Sequence, residues 1–296
     1  MMYTERKRKT QALLRLLDDP DLGVYEVVEQ ELQKEPAAII PLLEKIWENT
    51  FDETFQFRIE NLIQRLQFRE NYKKLKKWSG LPDPDLLLGF ILASKYHYPD
   101  LNEERTGRKI EEIRRRVWVE LNNSLTSLEK ITVLNHVFFN DFNFQVDHEN
   151  QYAPKNCFIN QILETGKGNT ISMALLYTIV ANKLDLPVKF IDIPKSPLLA
   201  YVDRKIAAKV HPEGVETDVL FYINPSNKGS ITGRRELEYQ LRRSGIEPLR
   251  RFFEASSSRC FLTRLLEYTE KSYELNGFTE KTADIHQMIH ILNLQK

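Results

Sequence analysis

Residues 166–187 read GKGNTISMALLYTIVANKLDLP, and this stretch decides the fold. A glycine-rich turn, Gly166-Lys167-Gly168-Asn169, runs into a long apolar segment. Asn169 or Thr170 is suited to cap a helix, because a short polar side chain can accept a free N–H of the first turn. From Ile171 onward apolar residues fill every face of the predicted helix, which places it between other layers rather than on the surface. Asp185-Leu186-Pro187 ends it, since a proline disfavours helical geometry at the residue before it. Val188 to Ile193 then reads as a strand.

Downstream, residues 198–203 and 218–224 also have strand composition, and Ile206–Val210 is read as a third short strand. The short connections between them suit an antiparallel meander. Arg234 to Arg243 returns to helix. Upstream, Leu125 to Phe138 is helical, a phenylalanine-containing loop follows, and Asn156 to Leu163 forms a short helix that enters the Gly166 turn.

This order and its wording resemble the transglutaminase-like superfamily, whose papain-type core carries a nucleophilic cysteine at the start of a buried helix. The nearest branch is a bacterial one that reads roughly Arg-Gly-Asn-Pro-Ile-Ser-Leu at this helix and Pro-Gly-His-Phe at the following strand. Here Lys167-Gly168-Asn169-Thr170-Ile171-Ser172-Met173 stands in the first place. The resemblance covers residues from about 125 to 240. It implies a Cys-His-Asp triad, in which an imidazole activates the thiol and a third group orients the imidazole. Carried over position by position, the cysteine falls on Thr170, the histidine on Ser196 and the aspartate on Asn224. Threonine lacks an acidic thiol, and serine is no base near neutral pH. The expectation is therefore a degenerate site whose cleft, formed by Gly168, Asn169, Thr170, Pro194, Ser196, Asn224 and Pro225, binds a protein or peptide. The plainer reading makes Thr170 a helix cap and Ser196 and Asn224 turn residues.

Two alternatives stay open. Cys157 lies one short helix upstream of Thr170 and could act with His148 as a rearranged peptidase or amidase. Cysteine in an apolar helix is more often a small buried hydrophobe. Alternatively the chain is a helical-repeat adaptor, in which the core is only a spacer. Asp192 and Asp203 flank the second strand as possible loop-end acids.

Residues 1–121 read as all-helical, with Asp18-Asp19-Pro20-Asp21 at one joint. They form either a HEAT-like repeat or an irregular helical subdomain, and include a fourth helix over 51–66. Arg114-Arg115-Arg116 sits beside Glu111 and Glu112 and reads as a solvated, internally paired face. Residues 122–245 form the expected core, and 246–296 a tetratricopeptide-like helical hairpin turning at Asn276-Gly277. The expected fold class is thus α+β: a helical N-terminal region, a core with a buried helix and an antiparallel sheet, and a C-terminal helical hairpin.

The 296 residues carry 42 basic and 42 acidic side chains, so no global field attracts nucleic acid or an anionic membrane. The two cysteines, Cys157 and Cys260, have neither metal-site nor disulfide-framework spacing. His286 and His290 share a helical face without a third ligand, so no metal and no cofactor is expected. The charged start MMYTERKRKT resembles no signal peptide, and the expected location is the cytoplasm.

Overall fold

The computed structural model describes residues 2–194, 197–210 and 217–294. The chain forms two compact units, residues 1–74 and 75–296.

The first unit contains α1 (Met2–Leu16), α2 (Leu22–Gln33), α3 (Ile40–Glu48) and α4 (Glu53–Ser79), whose last residues belong to the second unit. The Asp18–Asp21 joint works as its residues require. Asp19 Oδ1 accepts the Asp21 N–H at 2.9 Å, and Asp21 Oδ1 accepts the Gly23 N–H at 2.7 Å to start α2. Leu14, Leu17, Val28, Leu32, Leu43, Ile59 and Leu62 make one core. Helix α4 runs well beyond the expected end at residue 66. Neither glycine nor proline occurs between residues 42 and 79, and nothing in the backbone stops a helix there.

The second unit opens with α5 (Leu86–Lys95), α6 (Glu103–Trp118) and α7 (Ser127–Asn135). Next come β1 (Gln145–Val146), α8 (Ile159–Thr165), β2 (Lys167–Gly168) and α9 (Thr170–Asn182). Helices α5 and α6, grouped by sequence with the N-terminal region, pack against α8 and α9. Residues 172–181 of α9 are all buried, so the helix that reads as apolar on every face has a neighbour on every face. It ends as Leu186 N–H returns to Ala181 O at 3.0 Å, with Asp185 at φ 56°.

The sheet is an antiparallel meander in the order β3 (Val188–Ile191), β4 (Leu198–Val202), β5 (Val219–Asn224), β6 (Ser230–Thr232). Ile191, Leu198, Ala200 and Tyr222 form a core with Leu237 and Leu241 of a covering helix and with Phe252 and Phe253. Helix α9 packs against β3 and β4. The free edge of β3 is met by Ser256, whose N–H donates to Phe190 O at 2.7 Å. One expectation is corrected. Residues 206–210 are not a strand but part of α10 (Arg204–Val210). Asp203 Oδ1 accepts the Ile206 N–H at 3.0 Å and sets the first turn, and Ala207-Ala208 favours its continuation. The fourth strand is instead β6, short and largely exposed, which hides its apolar pattern.

Helix α11 (Arg234–Arg243) carries Leu237 and Leu241, and α12 (Ser258–Leu275) and α13 (Thr279–Asn293) make the hairpin, turned at Gly277 with φ 78°. The hairpin belongs to the second compact unit. Phe261 of α12 stacks on Phe190 of β3 at 4.0 Å, and α12 also packs against α5 and α9. Arg264 clamps Asp192 through two hydrogen bonds of 2.7 and 3.0 Å, so this strand-end acid is structurally engaged.

At the other end of the hairpin, Tyr96 O–H donates to Asp284 at 3.0 Å. His97 lies flat on Phe158, with ring centroids 4.9 Å apart, and its Nδ1 is 2.7 Å from Tyr273 Oη. Lys281 Nζ, a donor only, stands 3.5 Å from the same nitrogen. Both neighbours are satisfied when Nδ1 accepts and the proton sits on Nε2. Burial first, and the Lys281 charge second, push the His97 pKa down to about 4 from 6.5. The unfolded chain therefore binds a proton that the folded chain refuses. The stability tied to His97 is complete above pH 6.5 and is lost as the pH falls towards 4. Urea midpoints measured across this window are expected to fall with pH, and His97→Phe should flatten that dependence. Equal slopes in the two proteins would refute the assignment.

Candidate functional site

The start of α9 is built by four residues with separate tasks. Gly166 ends α8 in the left-handed region at φ 72°, where a Cβ would lie 3.1 Å from Asn143 O. Lys167-Gly168 then pairs in parallel with Gln145-Val146. A Cβ on Gly168 would come within 2.8 Å of Ser172 Oγ, so the backbone reaches the helix only because this position is glycine. Asn169 is the N-cap. Its Oδ1 accepts the Ser172 N–H at 2.8 Å, and Ser172 Oγ accepts the Asn169 N–H at 2.9 Å, a reciprocal capping box.

Beneath the cap lies the Asn156-Cys157 segment. Ser172 Oγ donates to Asn156 O at 2.7 Å. Asn156 Nδ2 donates to Asn150 O at 2.8 Å and to Asp147 Oδ2 at 3.3 Å. Burial works to raise the Asp147 pKa, but hydrogen bonds from Asn156 and Asn150 outweigh it, and the carboxyl titrates below its usual range. Cys157 is 1% exposed, and Asn169 Nδ2 donates to its Sγ at 3.2 Å. Burial pushes the Cys157 thiol up to about 12, against weaker opposing hydrogen bonds from Thr269, Asn169 and Ser272. Hydroxyl and amide groups therefore surround this sulfur, while His148 is exposed. An activated thiol needs the opposite shift.

Thr170, the position matched to the cysteine, is the first residue of α9 and is half-buried. Asn224 ends β5. Its Oδ1 accepts the Ser226 N–H at 3.0 Å, and its carbonyl accepts the Gly229 N–H at 2.9 Å. The following turn, Pro225–Asn227, packs against α9. A bridge holds it there: Tyr177 O–H donates to Asn135 Oδ1 at 2.7 Å, and Asn135 Nδ2 donates to Gly229 O at 2.9 Å. Of the other expected cleft residues, Gly168, Asn169 and Pro225 are buried and Pro194 is exposed. Ser196 lies outside the described residues. Sequence reasoning missed Asn135, Asn156, Ser172 and Tyr177, whose partners are distant in the chain. The available signal was polar side chains interrupting otherwise apolar segments.

A cleft of about 520 Å³ opens at the far end of α9, beside Asp85, Asn182, Lys183 and Asp185. At 1.5 Å per residue that end is roughly 18 Å from Thr170, so this cleft is separate from the triad-matched positions. Among the described residues no cluster of three metal-ligating side chains occurs, and no helix is long and apolar enough to cross a membrane.

The arrangement has relatives. Over 125 residues the chain is 25% identical to a UPF0162 protein of Xylella fastidiosa, covering 40% of this chain and 44% of that protein. It is 28% identical over 89 residues to a UPF0162 protein of Pasteurella multocida, covering 30% and 34%. It is also 27% identical over 111 residues to F-box only protein 21 of Homo sapiens, covering 37% of this chain but 17% of that protein. The chain thus spans less than half the length of these curated relatives, and no solved structure matches it. The model of the transglutaminase-like superfamily matches residues 104–267. This match takes in α6 through most of α12, including both Thr170 and Asn224. With more than half of its length inside that model, the chain belongs to the transglutaminase-like superfamily.

Proposed function

We propose that this is a transglutaminase-like protein without thiol catalysis, whose core serves as a protein- or peptide-binding module. The observation that carries the reading is the separation of roles at the start of α9. The motif resemblance assigns the nucleophile's place to Thr170, the first residue of α9, while the nearby thiol, Cys157, is buried and accepts a hydrogen bond from the cap. A threonine hydroxyl has no acidity of its own to exploit and needs an adjacent base. Asn224, in the place of the orienting acid, spends its side-chain oxygen on its own turn. Both cysteines are free, which fits the reducing cytoplasm that we propose as the location.

The rival peptidase reading depends on Cys157. Its raised pKa lowers the thiolate fraction on the order of 1,000-fold relative to an ordinary thiol near neutral pH. Iodoacetamide is therefore expected to label Cys157 in the native chain far more slowly than in urea, as read by mass spectrometry of the cysteine peptides. Labelling that is fast in the native state below pH 7 would favour the peptidase. The adaptor reading predicts partner capture that maps to the first hundred or so residues and ignores changes near Thr170.

Catalysis itself is tested by incorporation of a fluorescent primary amine into a glutamine peptide, and by hydrolysis of that peptide. The full chain is expected to give no rate above the uncatalysed one. A rate abolished by Thr170→Ala or Cys157→Ala would overturn the proposal.

A further inference from the structure

The chain is neutral overall, with 42 basic and 42 acidic residues, but residues 228–251 hold seven basic side chains against three acidic ones. Half of this excess lies on one helix, α11, with four arginines against two glutamates. Leu237 and Leu241 of α11 are 3% and 4% exposed and face the sheet. At about 100° per residue, Arg235, Tyr239 and Arg242 lie within roughly 60° of one another on the opposite side, with Arg243 beside them. Tyr239 is 61% exposed, and the three arginines are exposed.

Neither acidic residue of α11 is ion-paired to Arg235, Arg242 or Arg243, although the exposed Glu236 carboxylate, whose amide partner carries no charge, lies at the flank of the face near Arg243. Glu238 accepts from Arg234 at 3.0 Å, and Glu236 accepts from Gln240 at 3.0 Å. Arg234 is further held over Phe253 at 4.5 Å, and Arg250 pairs with Glu254 at 2.6 Å. Among the described residues, Arg235, Arg242 and Arg243 have no such carboxylate. By contrast, Arg114, Arg115 and Arg116 of α6 are all paired with Glu111 or Glu120. The α6 run is a self-satisfied surface, whereas the three α11 arginines stand open to solvent without a carboxylate partner among the described residues.

We propose that the outer face of α11 docks an extended acidic segment of a partner protein. Arg235 and Arg242 are seven residues apart, about 10.5 Å along the helix. In an extended chain of the polyproline II type, acidic residues three apart lie on one face about 9 Å from each other, so each carboxylate meets one guanidinium bidentately. Tyr239 lies between the forks and offers a flat apolar body with a polar tip to the intervening residues. Exposed arginine and tyrosine are the side chains that most often anchor protein interfaces. A nucleic-acid strand fits less well, because it needs a longer basic track and more than one stacking platform. The docking face uses none of the residues around Thr170 and stands whether or not that site is catalytic.

The test uses the full chain and fluorescence anisotropy. The probe is a labelled peptide of Glu-Ser-Gly repeats, with glutamate at every third position. Its controls are the Gln-Ser-Gly peptide and an oligo-dT strand of equal length. The glutamate peptide is expected to bind at least roughly tenfold more tightly than the glutamine peptide, and to weaken steeply with added salt. Arg235→Glu with Arg242→Glu should weaken it roughly tenfold or more, and Tyr239→Ala roughly threefold. Lys205→Glu with Lys209→Glu, reversing exposed charges on α10, should leave it unchanged. Unchanged thermal unfolding separates lost docking from lost folding. The proposal is overturned if wild type does not distinguish the two peptides, if the α10 reversal is equally harmful, or if oligo-dT binds more tightly than the acidic peptide.

Discussion

A helix with no solvent-facing side must have every polar group answered inside the chain, and α9 sets this demand for the core. Its middle is met by packing from α5, α6, α8, α12 and the sheet. Its start is harder, because the first-turn N–H groups have no partner within the helix. The Asn169–Ser172 capping box meets part of that need, and the Asn156 carbonyl meets the hydroxyl that completes it. An orphaned donor at such depth would cost about 1–3 kcal/mol. The Gly166 and Gly168 turn, the β1–β2 pairing and the Asn156-Cys157 segment follow from the same demand. The start of α9 is thus primarily a well-sealed helix terminus.

The same network accounts for the behaviour of Cys157. The sulfur lies behind the cap, where Asn169 donates to it and Thr269 and Ser272 adjoin it from α12. A thiol in that position is a packing element. Activating it would require a positive charge beside it or access for a base, and either would displace side chains that hold the helix start.

Much of this fold is legible in the sequence, because its key elements announce themselves locally. The apolar run from Ile171 and its stop at Pro187 define α9. Arg234 to Arg243 reads directly as a helix, and Asn276-Gly277 marks the hairpin turn. What is not legible depends on partners far along the chain. Ile206 to Val210 has strand-like residues but follows a capping Asp203. Ser230 to Thr232 is too short and too exposed to show a pattern. The length of α4 hides because its second half is charged rather than amphipathic. At the candidate site, the matched positions Thr170 and Asn224 come from wording alone, while Asn135 and Tyr177 become visible only when α7, α9 and the Gly229 turn meet.

The edges of the sheet carry a last consequence. Ser256 bridges to Phe190 of the four-residue strand β3 on one side, and β6 on the other offers only three residues. Unpaired strand edges are templates for adding another chain, and short or covered ones remove that opportunity. A polypeptide meeting this sheet would therefore find only short edges to pair with and would be read mainly through side chains. Recognition of that kind is set by the partner's residue types and their spacing, and it can be retuned by single surface substitutions without disturbing the sheet.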